Sequence, residues 1–187
     1  MRRRTLVLAS ASPQRRAILT QVGIPFDVRV SGIEEVAEGD PLAVAEENAR
    51  RKAAAIHTDG ALTLGADTLV ALDGDILGKP ETHDQARAYV ARLAGRTHQV
   101  VGAIALFDQD GPPKVAVEVT QVRFRDAGPE LIDWYVRTGE WQGRAGGYAI
   151  QGIGAVLVAG IEGDYLNVVG LPLQRLLDLA PQLLPAA

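Results

Sequence analysis

The chain has no cysteine among its 187 residues. That removes disulfides, thiolate nucleophiles and cysteine-ligated zinc from consideration. Histidine is scarce: His57, His83 and His98 are scattered and lack the spacing of a metal-ligand set. No apolar run approaches the roughly 20 residues that a membrane span requires. The opening MRRRTLVLASASPQRR has a basic front like a secretory leader, but its apolar run stops at Ala9 and two arginines follow soon after. It reads as a buried first strand, and the chain as cytoplasmic with no membrane partner. Basic residues are not in excess either. The formal net charge of −4 argues against general nucleic-acid binding, which needs a basic face to displace counterions.

What is present is an ordinary soluble composition, 47% apolar and 22% charged. The length allows one domain over residues 1–187, or two lobes sharing a sheet. TLVLA reads as a buried strand. SPQRRAILTQVG reads as a helix, with Ser12 as N-cap, Pro13 at the first position and Gly23 ending it. FDVRV alternates as a strand does, and SGIEEVAEGD follows as an acidic loop. Pro41 opens an alanine-rich helix to about Ile56. Apolar alternation on both sides of Asp73-Gly74 marks a hairpin with a two-residue turn, in which Leu72 faces Asp75 and Thr68 faces Lys79.

THDQARAYVARLAG shows a capping-box spacing of Thr82 and Gln85. The strands HQVVGAIALF and KVAVEVTQVRF flank the turn DQDGPP. PELIDWYVRTG, a glycine-rich stretch, a hairpin around EGD and a last helix from Pro172 complete the chain. Helices and strands are interspersed, and several strands are joined by turns too short for parallel crossovers. The expected fold is α/β with a mixed sheet.

Four places carry candidate chemistry. In LASASPQRR a strand delivers Ser10 and Ser12 to a helix N-terminus with Arg15 and Arg16 in its first turn, where backbone N–H groups, hydroxyls and guanidinium groups together suit a phosphate chain. A serine cap followed by two solvated arginines is an equally good reading. The pair Glu34-Glu35 with Asp67 would repel a polyphosphate unless a divalent cation sits between them, or these are surface charges. Arg51 and Lys52 end a helix whose dipole already favours cations there. In GGYAIQG, glycines allow close approach to a ligand beside Gln151, and a tight turn explains them as well. Period-2 alternation puts Asp67 and Lys79 on opposite faces of the hairpin, so they share a site only if the strand ends or bulges near Asp67, with Gly65 and Gly78 as candidates for the irregularity.

Taken in order, SASPQRRAIL, SGIEE, RRKA, LGADTLV, GDILGKP, AGGYAIQG and VVGLPL resemble the Maf family of nucleotide pyrophosphatases, from about Leu6 to the final helix. The resemblance implies a mixed α/β fold similar to that of inosine-triphosphate pyrophosphatases, with an elongated sheet flanked by helices and two lobes around a cleft. It also implies a homodimer that uses a divalent metal cation (Mg2+, Mn2+ or Co2+) to hydrolyse a nucleoside triphosphate to the monophosphate and pyrophosphate. Carried over by position, Asp67 matches the family's proposed proton acceptor, with Arg15 and Lys79 beside it as catalytic groups. Glu35 and Asp67 become the expected metal ligands. Ser10, Ser12, Gln14, Arg16, Lys52, Thr68 and Gln151 become the expected substrate contacts.

Gln14, Thr68 and Gln151 fall where the family's branches differ. Thr68 and Gln151 point to the dTTP/UTP branch, while Gln14 replaces the first arginine of the common SPRR pattern and resembles the methylated-GTP branch in its spacing. Gly143 and Arg144 stand where the family usually has Asp and Lys. Pyrophosphatases for methylated or otherwise modified nucleotides, and a nucleotide-binding regulator of septum formation without turnover, are the alternatives.

Overall fold

The computed structural model describes residues 5–109 and 111–184. The leading MRRR, Asp110 of the DQDGPP turn and the last three residues lie outside the described part. Seven strands form one mixed sheet: β1 (Leu6–Leu8), β2 (Phe26–Val28), β3 (Leu62–Leu72), β4 (Asp75–Leu77), β5 (Thr97–Phe107), β6 (Lys114–Phe124) and β7 (Val158–Glu162). Their order is β2-β1-β3-β5-β6-β7, with β4 added to the side of β3. β1 pairs in parallel with β2 and β3, and the remaining pairs are antiparallel. Six helices accompany the described sheet: α1 (Pro13–Gln21), α2 (Pro41–Ala54), α3 (His83–Leu93), α4 (Pro129–Arg137), α5 (Tyr165–Val169) and α6 (Leu173–Leu179).

Side-chain alternation along β3 sets the layers. Leu62, Leu64 and Ala66 pack with Leu6, Leu8, Ile18 and Leu176 in one core. Farther along the same face, Val70 and Leu72 join Val90, Leu93 and Tyr135 in a second. The opposite face carries Leu69, which packs with Val101 and Ala103 beneath Val44, Ala45 and Ala49 of α2. Two separate cores on one face of a continuous sheet are the two lobes, and Thr68 lies between them.

The hairpin forms as expected, with Leu72 opposite Asp75 and with φ of 55° at Asp73 and 89° at Gly74. β4 stops at Leu77, so Thr68 and Lys79 do not pair. On this edge of β3, β1 covers residues 62–64 and β4 covers residues 70–72. Among the described residues, 65–69 have no strand partner there. That gap, and not a bulge, opens the edge at Asp67, because the β3–β5 register runs unbroken through Gly65. Gly65 serves another purpose: a Cβ there would stand 2.0 Å from the Ala49 carbonyl oxygen, so glycine lets α2 lie directly on the strand.

Three local expectations need correction. FDVRV pairs only through Val28. Thr82 caps α3 by accepting from Gln85 N at 3.1 Å, but the Gln85 side chain accepts from Glu81 N and not from Thr82 N, so the capping box is shifted by one residue. No hairpin forms around EGD: β7 runs into α5, because Asp164 accepts from Leu166 N at 2.7 Å and starts a helix there.

Candidate active site

The gap on β3 opens into a cavity of about 520 Å³. Its charged lining is Arg15, Lys52, Lys79 and Arg144 against Glu35 and Asp67, a cationic surplus. Asp67 and Thr68 are adjacent on β3 and point to opposite faces, but at an unpaired edge both side chains reach the opening.

On the α2 side, Asp67 is buried, and Lys52 Nζ donates to its Oδ1 at 2.6 Å. The same ammonium pairs with Glu35 Oε1 at 2.6 Å, and Glu35 Oε2 accepts from Lys79 Nζ at 3.3 Å. Asp67, Lys52, Glu35 and Lys79 therefore form a chain of alternating charge. Burial pushes the Glu35 carboxyl up, but the hydrogen bond and charge of Lys52, reinforced by Lys79, overcome it and hold the pKa down to about 2. This chain is how an acid and an amine on opposite hairpin faces come to share a site.

Sequence reading missed Asn48. It is 1% exposed; its Nδ2 donates to Asp67 Oδ2 at 3.0 Å and to the Val36 carbonyl at 2.9 Å, and its Oδ1 accepts from Val36 N at 2.8 Å. One amide thus ties the acidic loop after Glu35 to both α2 and Asp67. The signal was available: Ala45, Asn48, Ala49 and Lys52 share one helical face, and a polar residue on an alanine face must find buried partners.

On the other side, Arg15 is buried in the first turn of α1. Its Nε donates to the Gly170 carbonyl at 2.9 Å, one terminal nitrogen to Ser10 Oγ at 2.9 Å and the other to Thr68 Oγ1 at 3.1 Å. Every one of these partners is neutral. Desolvation lowers its pKa from the ordinary guanidinium value, opposed by the more distant charges of Asp67 and Glu35. Ser12 caps α1, its Oγ accepting from Arg15 N and donating to Gln14 Oε1 at 3.1 Å.

Of the expected residues, Ser10, Ser12, Gln14, Arg15, Glu35, Lys52, Asp67, Thr68, Lys79 and Gln151 all line the cavity. Arg16 does not. It is exposed on the outer side of α1, because neighbouring helical residues point about 100° apart and Arg15 occupies the inward position. Arg144, noted only as a departure, does line the cavity, and its Nε is buried without a partner among the described residues.

Among the described residues, no three His, Cys, Asp or Glu side chains gather into an all-protein metal site. Glu35 and Asp67 nevertheless suit a hard cation of the magnesium type, which takes one or two carboxylates and completes its shell with phosphate oxygens and water. Both carboxylates face the cavity where those oxygens would enter.

Residues 5–183 match the Maf-like protein family. The chain belongs to that family. It is 48% identical over 181 residues to the dTTP/UTP pyrophosphatase of Symbiobacterium thermophilum, covering 95% of this chain and 93% of the relative. It is 49% identical over 180 residues to the dTTP/UTP pyrophosphatase of Moorella thermoacetica, covering 93% and 92%. Among solved structures, a nucleoside-triphosphatase, dITP/XTP pyrophosphatase, from Mycobacterium abscessus is similar over 96% of this chain and 99% of its own, with 16% identity and a TM-score of 0.49. Among the described residues of this Maf-like chain, no helix is long and apolar enough to cross a membrane.

Proposed function

We propose that this Maf-like protein hydrolyses dTTP and UTP to the nucleoside monophosphate and pyrophosphate, by attack of water at the α-phosphorus. The observation that carries the reading is Arg15: a buried guanidinium beside an open cavity, hydrogen-bonded among the described residues only to neutral groups. Burying a cation without a counter-ion is costly, and an anion arriving in the cavity removes that cost. The start of α1, where Ser12, Pro13 and Gln14 line the same cavity, adds the positive end of the helix dipole. The names of the relatives supply the pyrimidine substrates.

Asp67 is the base. Its carboxylate offers about four lone-pair positions. Lys52 and Asn48 occupy two of them, leaving room to accept a proton from an attacking water. Arg15 stabilises the charge that grows on the phosphoryl oxygens, and Lys79 neutralises the departing pyrophosphate. A divalent cation held by Glu35 and Asp67 would neutralise phosphate charge, so that two carboxylates and a polyphosphate tolerate one another. Thr68 and Gln151 present neutral hydrogen-bonding groups, and the Gln151 amide can pair with the carbonyl and N–H that thymine and uracil offer on one edge.

Hydrolysis with magnesium or manganese in water labelled with heavy oxygen tests this directly. The label belongs on the monophosphate. Label in the pyrophosphate, or release of inorganic phosphate with the diphosphate, overturns attack at the α-phosphorus. Faster hydrolysis of methylated GTP than of dTTP and UTP at equal concentration overturns the base assignment.

A further inference from the structure

Gln151 makes no side-chain hydrogen bond among the described residues and is exposed at the cavity wall, so its aim depends on its backbone. That backbone is held from outside its own segment. Glu140, after α4, accepts from Ile153 N on Oε1 and from Gly154 N on Oε2, both at 2.7 Å. These are the first N–H groups of the short 3-10 helix Ile153–Leu157, whose own N-cap Gly152 has no side chain to offer. Tyr135, fully buried in α4, steadies the carboxylate by donating from Oη to Oε2 at 3.3 Å.

Gly152 is shaped to this contact. A Cβ there would lie 2.0 Å from Glu140 Oε1. A side chain beside Gln151 would therefore push the carboxylate off its two N–H donors. Only an acceptor on both arms satisfies two successive N–H groups; an amide would turn its NH2 against one of them.

We infer that Glu140 is a positioning residue for base choice, acting through the backbone of residues 151–154 to hold Gln151 against the nucleobase. The inference rests on the proposed role of Gln151 in reading that base. Glu140 lies outside the cavity lining and takes no part in the phosphate chemistry.

The test compares kcat/KM for dTTP and UTP with that for ATP and dGTP in four proteins: wild type, Glu140→Gln, Gln151→Ala and the double variant. Glu140→Gln should lower the pyrimidine-to-purine ratio by about 10-fold, mainly through KM for dTTP and UTP, as expected for a lost orienting contact. In the double variant the ratio should equal that of Gln151→Ala alone, because Glu140 acts only through Gln151. A parallel fall for all four substrates, or additive effects in the double variant, overturns the inference while the reading of Gln151 stands. An unchanged ratio in Gln151→Ala removes that reading and the inference with it. If Glu140→Gln fails to fold, Tyr135→Phe keeps the ring and removes one hydrogen bond to the carboxylate. It should shift the ratio in the same direction by roughly 2-fold, and an unchanged ratio overturns the inference.

Discussion

The two sides of β3 meet the same cavity with opposite electrical designs. On the α2 side, Asp67, Lys52, Glu35 and Lys79 alternate in sign and cancel one another at separations of 2.6 to 3.3 Å. On the α1 side, Arg15 has hydroxyls and a carbonyl for company and no carboxylate at ion-pair distance among the described residues. The first side balances its own charges, whereas the second leaves a buried charge waiting for a ligand. Adjacent residues on one strand, Asp67 and Thr68, anchor these two environments because alternation sends them to opposite faces.

Removing the base from the charge-balanced side gives the largest effect. Asp67→Asn keeps the size and still accepts from Lys52, so the fold should persist while turnover falls by about two to four orders of magnitude. Near-wild-type single-turnover rates would take Asp67 out of the mechanism. The comparison itself is sharpened by pairing Lys52→Met with Arg15→Met. Lys52→Met leaves two carboxylates facing each other and should lower ligand-free stability by about 3–5 kcal/mol, read by denaturant titration.

Arg15→Met breaks hydrogen bonds to neutral partners and no ion pair, which leaves a smaller loss of about 1–3 kcal/mol. Pyrophosphate should raise the melting temperature of the wild type, and this variant should lose that response. If pyrophosphate stabilises Arg15→Met as well as the wild type, the open charge is not where phosphate binds.

The smallest effect lies behind the cavity. His98 is buried, its Nε2 pairs with Tyr148 Oη at 2.8 Å, and its Nδ1 has no partner among the described residues. Burial lowers its pKa from 6.5 to about 4. The unfolded chain therefore binds the proton more tightly than the folded one. Stability from this group is fully present above pH 6.5 and is lost as the pH falls towards 4. His98→Gln should flatten the pH dependence of the unfolding free energy in that window without changing base preference.

Much of the site could be read along the chain because it is built from local signals. The serine cap and Pro13 announce α1, Asp73-Gly74 announces the hairpin, and the motifs around Asp67, Lys79 and Gln151 carry their chemistry in their residue types. Three things could not be read so. Helix phase about the sheet decides that Arg15 turns inward and Arg16 outward, although they are neighbours of the same type. The lengths of β1 and β4 together leave the edge of β3 open at Asp67, where alternation alone argues that Asp67 and Lys79 stay apart. Buried hydrogen bonds join residues far apart in the chain, as Asn48 joins Asp67 and Glu140 joins Gly154. Periodicity, caps and turns report the conformation of a few consecutive residues. Which face meets which, and which polar atoms must find each other once water is excluded, is settled only when the sheet and helices close on one another.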